Sequence, residues 1–320
     1  MPQISVIIPT YNRGARLGGA IESVRAQTFQ DWELLVVDDG STDETPALVQ
    51  AHVQRDARIC SVRQSNAGAA AARNQGIRSA RGAYLAFLDD DDRWAPQKLD
   101  TQLRFLMAHA EVGWVYSFMR LVNEATGAEQ LHGRALRSFK ELFRGYFIGP
   151  QTVLLRRACV ERVGRFDESR DFFGAEDTDF FLRLGKSFAF HCIPEPLVIR
   201  TLHEENDTLP REARCLEAFI RIYRALDLRG QSEVSRLDRI KRVASLHHYT
   251  AGFYRRHRAY RQAAVHFLRA ALTYPPVGLY VAPGSPHGLR AVREGLSPLW
   301  GIAACTAKSF NGNVTLSAEA

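Results

Sequence analysis

Residues Tyr84-Leu-Ala-Phe-Leu88 form a short apolar run that stops abruptly at four consecutive carboxylates, Asp89 to Asp92, followed by Arg93, Trp94, Ala95 and Pro96. The apolar run has the length and composition of a buried strand, and the Ala-Pro pair is the kind that opens a helix. Four adjacent anions repel one another by about 1–4 kcal/mol per close pair, so a fold that gathers them at a strand end must neutralise them. A solvated acidic turn, with Asp92 near a helix N-terminus where the dipole favours negative charge, accounts for one or two. A divalent cation accounts for the rest, because clustered carboxylates are hard oxygen ligands for Mg²⁺ or Mn²⁺.

The rest of the first half has the same grammar. Ile4-Ser-Val-Ile-Ile8, closed by Pro9, reads as a buried strand, as do Trp32–Val37 and Ile59–Val62. Helical spacing runs through Ala15–Gln27, Glu44–Arg55, a stretch containing Arg73, Asn74 and Ile77, and Gln97–His109. Strands alternating with helices of this length predict right-handed βαβ units and an α/β fold with a parallel sheet. Ligands of such sheets sit outside the carboxyl ends of the strands. Thr10 and Tyr11, Asp38 and Asp39, and the Asp89–Asp92 run all fall at such ends. Further on, Gly113–Phe118 reads as a strand and Phe139–Tyr146 and Arg157–Val163 as helices. Phe173-Gly-Ala-Glu-Asp-Thr-Asp179 reads as a loop entering a helix near Thr178, and Phe188–Cys192 and Leu197–Thr201 as strands. From about Pro210 only helices are expected: Ala218–Leu228, Val234–Arg256 and Tyr260–Thr273. The expected division is a domain over 1–210, a basic helical region over 211–300 containing a Pro/Gly-rich loop at 278–288, and a flexible tail over 301–320.

Several function classes are disfavoured. The segment after the first strand is Pro9-Thr-Tyr-Asn-Arg-Gly14, not the GxGxxG of a dinucleotide-binding domain, and no GxxxxGK[ST] phosphate loop occurs. A content of 46% hydrophobic and 24% charged residues is that of an ordinary globular protein. No run of about 18 apolar residues predicts a membrane span, and the N-terminus carries no secretory signal. The five cysteines (Cys60, Cys159, Cys192, Cys215, Cys305) are scattered and never spaced as CxxC, which fits reduced thiols in the cytoplasm. The net charge of +7 falls mainly in the C-terminal third. That surface could meet anionic membrane lipid, an anionic polymer or only solvent; a cytoplasmic protein is the expectation, with peripheral contact at the inner face of a membrane and a merely solvated basic surface both open, and no nucleic-acid partner is expected.

Six motifs in order give this chain a resemblance to the GT-A-fold glycosyltransferases of family 2. They are Ile4-Ser-Val-Ile-Ile-Pro-Thr-Tyr-Asn-Arg13, Val36-Val-Asp-Asp-Gly-Ser-Thr-Asp43, Asn66-Ala-Gly68 with Ala72-Arg-Asn74, Phe87-Leu-Asp-Asp-Asp-Asp92, Gly174-Ala-Glu-Asp-Thr-Asp179 and Arg200-Thr-Leu-His203. The resemblance covers roughly residues 3–208. It implies a Rossmann-like, mostly parallel sheet with helices on both faces, a nucleotide-diphosphate sugar donor (most often UDP-linked), a divalent metal (Mg or Mn), and transfer with inversion. By the same resemblance Pro9, Thr10, Tyr11, Arg13, Asp39, Asn66 and Arg73 belong to the nucleotide site, with Asp39 accepting from a uracil N–H; the bland alternative for Asp39 is turn chemistry in Asp-Gly-Ser. Asp91 is the implied direct metal ligand, with Asp89 and Asp90 toward the ribose or metal waters, and the extra Asp90 leaves that division open. His203 matches a position that completes metal or diphosphate binding. Asp177 matches the general base, its alternative being a cap on the following helix.

The helix after the base motif reads Phe180-Phe-Leu-Arg-Leu184 without the QxxRW of processive members, so addition of one sugar to a glycan or lipid-linked acceptor, in cell-surface polysaccharide or glycoconjugate synthesis, is the expectation. Two rivals remain at this stage: a sugar-phosphate nucleotidyltransferase, which would usually open with a Gly-rich basic loop after the first strand, and an inactive glycan-assembly scaffold.

Overall fold

The computed structural model describes residues 1–145, 148–172, 174–203 and 209–274. The chain divides into two compact units, one of residues 1–170 with 176–206 and one of 171–175 with 207 onward. The expected loop at 278–288 and tail at 301–320 lie outside the described residues, as does Cys305.

The first unit is built on a nine-stranded sheet. Its strands are β1 (Ile4–Thr10), β2 (Trp32–Asp38), β3 (Ile59–Arg63), β4 (Tyr84–Phe87), β5 (Arg93–Trp94), β6 (Val112–Asn123), β7 (Glu129–His132), β8 (Val153–Arg156) and β9 (Ala189–Leu202). The order is β3-β2-β1-β4-β8-β6-β9-β5, with β7 added to β6. The half made of β3, β2, β1 and β4 is parallel, as the alternating pattern predicts. Beyond it the sheet becomes mixed: β8 runs antiparallel between β4 and β6, β6 pairs β9 in parallel, and β5 closes the edge antiparallel to β9. The helices are α1 (Gly14–Arg25), α2 (Thr45–Arg55), α3 (Ala69–Ser79), α4 (Lys98–Ala108), α5 (Phe139–Phe143), α6 (Arg157–Val163) and α7 (Glu176–Ser187).

Alternation along β1 assigns the two faces. Ile4, Val6 and Ile8 enter a core shared with Leu17, Ile21 and Val24 of α1 and Leu99, Leu103 and Leu106 of α4. Ile7 points the other way, under α3, where a Cβ on Gly76 would stand 2.4 Å from its Cγ2. Only glycine lets α3 lie this close to the sheet. On the same chain, rings from distant segments assemble: Phe166 stacks on Phe180 at 4.2 Å and meets Phe87 edge-on at 5.3 Å.

Three expectations are corrected. Pro9 does not close β1, which continues to Thr10. Ile7 accepts from the Leu88 amide and Thr10 from that of Asp39, so odd positions of β1 face β4. The missing Pro9 N–H therefore points past the end of β4, where no ladder partner is needed. The two strands expected over 188–201 are one, β9, which pairs along a β6 that is longer than expected, with register shifts where the second expected strand begins. Asp92 does not sit at a helix start: Arg93 and Trp94 form β5, and α4 begins only at Lys98.

The second unit contains α8 (Leu209–Ala225), α9 (Arg236–Arg256) and α10 (Tyr260–Thr273). Ser235 and Asp238 form a reciprocal capping box at the start of α9. Small residues bring α9 and α10 together, with Ala251, Ala263 and Phe267 in one buried cluster and Ala244 and Ala270 in another.

Candidate active site

The carboxyl ends of β1, β2 and β4 carry the site, and local hydrogen bonds shape each loop. After β1, Asn12 takes a left-handed conformation (φ 51°) that asparagine tolerates. Its amide donates to the Ser41 hydroxyl, and its side-chain oxygen accepts from the Thr42 amide. The Arg13 amide donates to the Thr45 hydroxyl. The loop holding Thr10, Tyr11 and Arg13 is thus fastened to the loop after β2. Thr10 is buried and Tyr11 is exposed; Asn66 is exposed as well.

Asp39 has a task that sequence reasoning did not foresee. Its Oδ1 accepts from Gln64 Nε2 at 2.7 Å and the Ala67 amide at 2.9 Å, and its Oδ2 from the Gly68 amide at 2.8 Å. One carboxylate therefore shapes the whole Asn66-Ala-Gly68 loop. Since each oxygen has two acceptor directions, Oδ2 keeps capacity for one more donor.

The Asp89–Asp92 run divides by partner. Asp89 Oδ1 accepts from Arg73 Nη2 at 2.8 Å. Burial pushes the Asp90 carboxyl up to about 7; the Asp91 and Asp89 charges add to this, while the Thr10 hydroxyl and Arg13 oppose it. Asp91 Oδ2 lies 3.0 Å from His203 Nε2, on an imidazole whose side chain is only 2% exposed. Asp92 is buried, accepts from the Thr201 amide through Oδ1, and leaves Oδ2 without a partner. Burial, then Asp89 and Asp91, raises its carboxyl well above the usual range, with Arg200 opposing.

The base motif opens α7, bringing Glu176, Asp177 and Asp179 into its first turn. They have three different roles. Asp179 is tied to Arg183, whose guanidinium also donates to the Val163 and Arg165 carbonyls. Glu176 Oε1 lies 3.4 Å from Arg73 Nη1. Asp177 accepts from the Thr178 amide at 2.7 Å. Its carboxyl is pushed up to about 7 by burial first and then by Glu176, while Arg73 pulls it down and the Asp89 charge raises it. Arg73 thus ties Asp89, just past the end of β4, to Glu176 in the first turn of α7. The next residue, Asn74, secures the approach: its Nδ2 donates to the Phe166 carbonyl at 2.8 Å and its Oδ1 accepts from the Phe166 amide at 3.0 Å. No local sequence signal could have revealed the Arg73–Glu176 or Asn74–Phe166 pairings, which join positions about ninety or more residues apart.

The donors suit a divalent cation. Asp91 and His203 supply one oxygen and one nitrogen, a combination acceptable to Mn²⁺ and, through the oxygen, to Mg²⁺. Among the described residues no set of three His, Cys, Asp or Glu side chains is arranged to hold a metal. A cation there must draw its other ligands from substrate phosphate and water, as Mg²⁺ commonly does.

The family model described as Glycosyl transferase family 2 matches residues 5–164. The chain belongs to glycosyl transferase family 2. It is 30% identical over 229 residues to the GalNAc(5)-diNAcBac-PP-undecaprenol beta-1,3-glucosyltransferase of Campylobacter jejuni, covering 69% of this chain and 72% of that one. It is 34% identical over 164 residues to the putative teichuronic acid biosynthesis glycosyltransferase TuaG of Bacillus subtilis, covering 51% of this chain and 65% of that one. The chain spans as little as 19% of the length of other curated relatives it matches. The crystal structure of S. aureus TarS 1-349 in complex with UDP-GlcNAc superposes with a TM-score of 0.66 at 19% identity, over 98% of this chain and 92% of that one. The architecture is accordingly the GT-A fold that the motifs implied. Among the described residues no helix is long and apolar enough to cross a membrane, and Cys60, Cys159, Cys192 and Cys215 are free thiols.

Proposed function

We propose that this family 2 glycosyltransferase moves one sugar, with inversion, from a UDP-sugar to a hydroxyl of a lipid-linked glycan acceptor, and that it works at the inner face of a membrane. The observation that carries the reading is the Arg73 bridge, which joins the Asp89 end of the carboxylate run to the helix turn holding Asp177. The names of the relatives, one acting on an undecaprenol-linked glycan, support the acceptor class. The UDP-GlcNAc complex of the fold neighbour supports the donor class.

In this reading Thr10, Tyr11, Arg13, Asp39, Asn66 and Arg73 surround the nucleotide, with Pro9 setting the strand end that carries the first of them. Asp39 would use the free acceptor direction of Oδ2 for a base N–H. Asp91 and His203 would hold a divalent cation, which as a Lewis acid stabilises charge on the departing diphosphate. Asp89 and Asp90 would serve the ribose or the waters around that cation. Asp177 takes the proton of the acceptor hydroxyl as the hydroxyl oxygen bonds to the anomeric carbon, and the bond from that carbon to the diphosphate breaks on the opposite face. A carboxyl with a pKa of about 7 is matched to such a proton transfer near neutral pH, a contribution of roughly 10²–10⁴-fold.

The test is Asp177→Asn, assayed for transfer from a panel of UDP-sugars to an undecaprenyl-diphosphate-linked acceptor, with donor protection against thermal unfolding measured in parallel. The expected outcome is retained donor protection with transfer lost. Turnover close to wild type in Asp177→Asn would sink the base assignment.

A further inference from the structure

Helix α10 is apolar on two opposite faces. Ala263, Phe267 and Ala270 are buried against α9, whereas Val265, Leu268 and Leu272 are 46%, 46% and 76% exposed. The exposed three recur at i, i+3 and i+7 and make one stripe about 10 Å long. A helix that only needs solvent on its outer side has no use for such a stripe.

The charge around it has one sign. Arg261 lies on the same face one turn before Val265, and Arg269 flanks the stripe. Arg256 and Arg258 stand exposed at the turn that leads into the helix. No acidic residue occurs between Asp238 and Glu294. A stripe of large aliphatic side chains whose charged neighbours along the chain are arginines is the pattern of a helix that lies in the headgroup layer of an anionic bilayer, its apolar side chains among the upper acyl carbons. A second copy of the chain is a poor fit: three side chains fall far short of the ~20–30 residues per side of a stable interface, and a symmetric contact would bring the arginines together.

We propose that the outer face of α10, with Val265, Leu268 and Leu272 as the inserted residues and Arg256, Arg258, Arg261 and Arg269 as headgroup contacts, is the surface that docks this protein on anionic membrane. The purpose of such docking rests on the lipid-linked acceptor proposed above; its chemistry does not.

The full-length chain is sedimented with vesicles of phosphatidylcholine, with and without phosphatidylglycerol, at low and high salt. Binding is expected only with phosphatidylglycerol and is expected to weaken with salt. Leu268→Asp/Leu272→Asp and Arg256→Ala/Arg258→Ala/Arg261→Ala should each lower the partition by roughly tenfold or more, with unchanged circular dichroism. In Leu272→Trp, brominated lipid should quench more fluorescence than in the wild-type chain. The proposal is overturned by absent binding at low salt, by binding that survives both multiple substitutions, or by a dimer in light scattering that Leu268→Asp/Leu272→Asp dissolves without vesicles. It is equally overturned if the tryptophan at 272 is shielded from aqueous quencher before vesicles are added, since other parts of the chain would then cover the stripe. Transfer to a water-soluble acceptor analogue by the wild-type chain reports on the proposed chemistry alone, so its absence while vesicle binding follows the pattern above strikes that reading and leaves the docking surface standing.

Discussion

Arg73 and Glu176 are 103 positions apart in the chain, yet their side chains form an ion pair at 3.4 Å, and the other arm of the same guanidinium holds Asp89 at 2.8 Å. Arg73 is 9% exposed as a side chain, so both bonds are made in a largely dry setting. Removing one partner of a buried pair typically costs ~3–5 kcal/mol because the other charge stays behind, and here two carboxylates would stay behind. Arg73→Ala is expected to lower kcat by about 100-fold or more through misplacement of the two carboxylate groups. Arg73→Lys should recover little, because a point charge cannot hold both at once. Steady-state kinetics with scanning calorimetry checks this: a kcat within a few-fold of wild type would make the bridge incidental.

The pH dependence follows from Asp177. Its carboxyl is raised to about 7 by burial and then by Glu176, and a general base works only when ionised. Activity should therefore be low below about pH 6, rise through about 7, and level off above it. Glu176→Gln removes a repelling charge and should move the rising limb to lower pH. A limb that stays in place in Glu176→Gln would contradict the electrostatic coupling between the two neighbours.

The Asp91–His203 pair makes a prediction for metal dependence. His203→Ala should raise the Mn²⁺ concentration needed for half-maximal activity by roughly 10–100-fold, the size of effect seen when a group supporting a metal site is lost, while leaving kcat at saturating Mn²⁺ less affected. Titration calorimetry with Mn²⁺ in the presence of UDP checks it directly, and equal affinities in the two proteins would remove His203 from the site.

Asn74→Ala addresses stability. Asn74 is 2% exposed and satisfies both backbone groups of Phe166. Leaving a buried amide and carbonyl unpaired costs roughly 1–3 kcal/mol each, about 2–6 kcal/mol together, so Tm should fall by about 4–24 °C at ~2–4 °C per kcal/mol for a unit of this size. Asn74→Asp keeps the acceptor for the Phe166 amide but sets a carboxylate oxygen against the Phe166 carbonyl and the Glu168 carboxylate, both of which now accept from Asn74 Nδ2, so it should be no more stable than Asn74→Ala. A Tm within a degree of wild type would show that the Phe166 segment is held by its rings alone.

The parts of this fold legible in the sequence were those decided by neighbours along the chain. β1, β2 and β4 are apolar runs whose continuous burial leaves no other reading, and α10 has the boundaries that its spacing predicted. The parts that escaped depend on partners far away. Asp92 looked like a helix-start residue because Pro96 follows it, but β9 offered Arg93 and Trp94 an edge to pair with, and two ladder positions outweighed the local helix signal. Asp39 read as a nucleobase ligand or as part of its own Asp-Gly-Ser turn, yet the loop it shapes lies 25–29 residues on. The carboxylates themselves were visible from the start. Which of them Arg73 would hold was not, because that depends on how closely α3 lies over Ile7, set by one glycine.

β9 runs without interruption from Ala189 to Leu202, and its final register step sets Leu202 opposite Asn123 of β6. His203 is the very next residue. Its imidazole is therefore positioned at the end of a long paired lever rather than on a free loop, and its direction is settled when the sheet forms. Ordering that ring is part of the free energy of folding. An incoming cation or diphosphate would meet a nitrogen already aimed, and sequence changes anywhere along the β6–β9 ladder that alter its bulges would be felt as changes in affinity at a site many residues away.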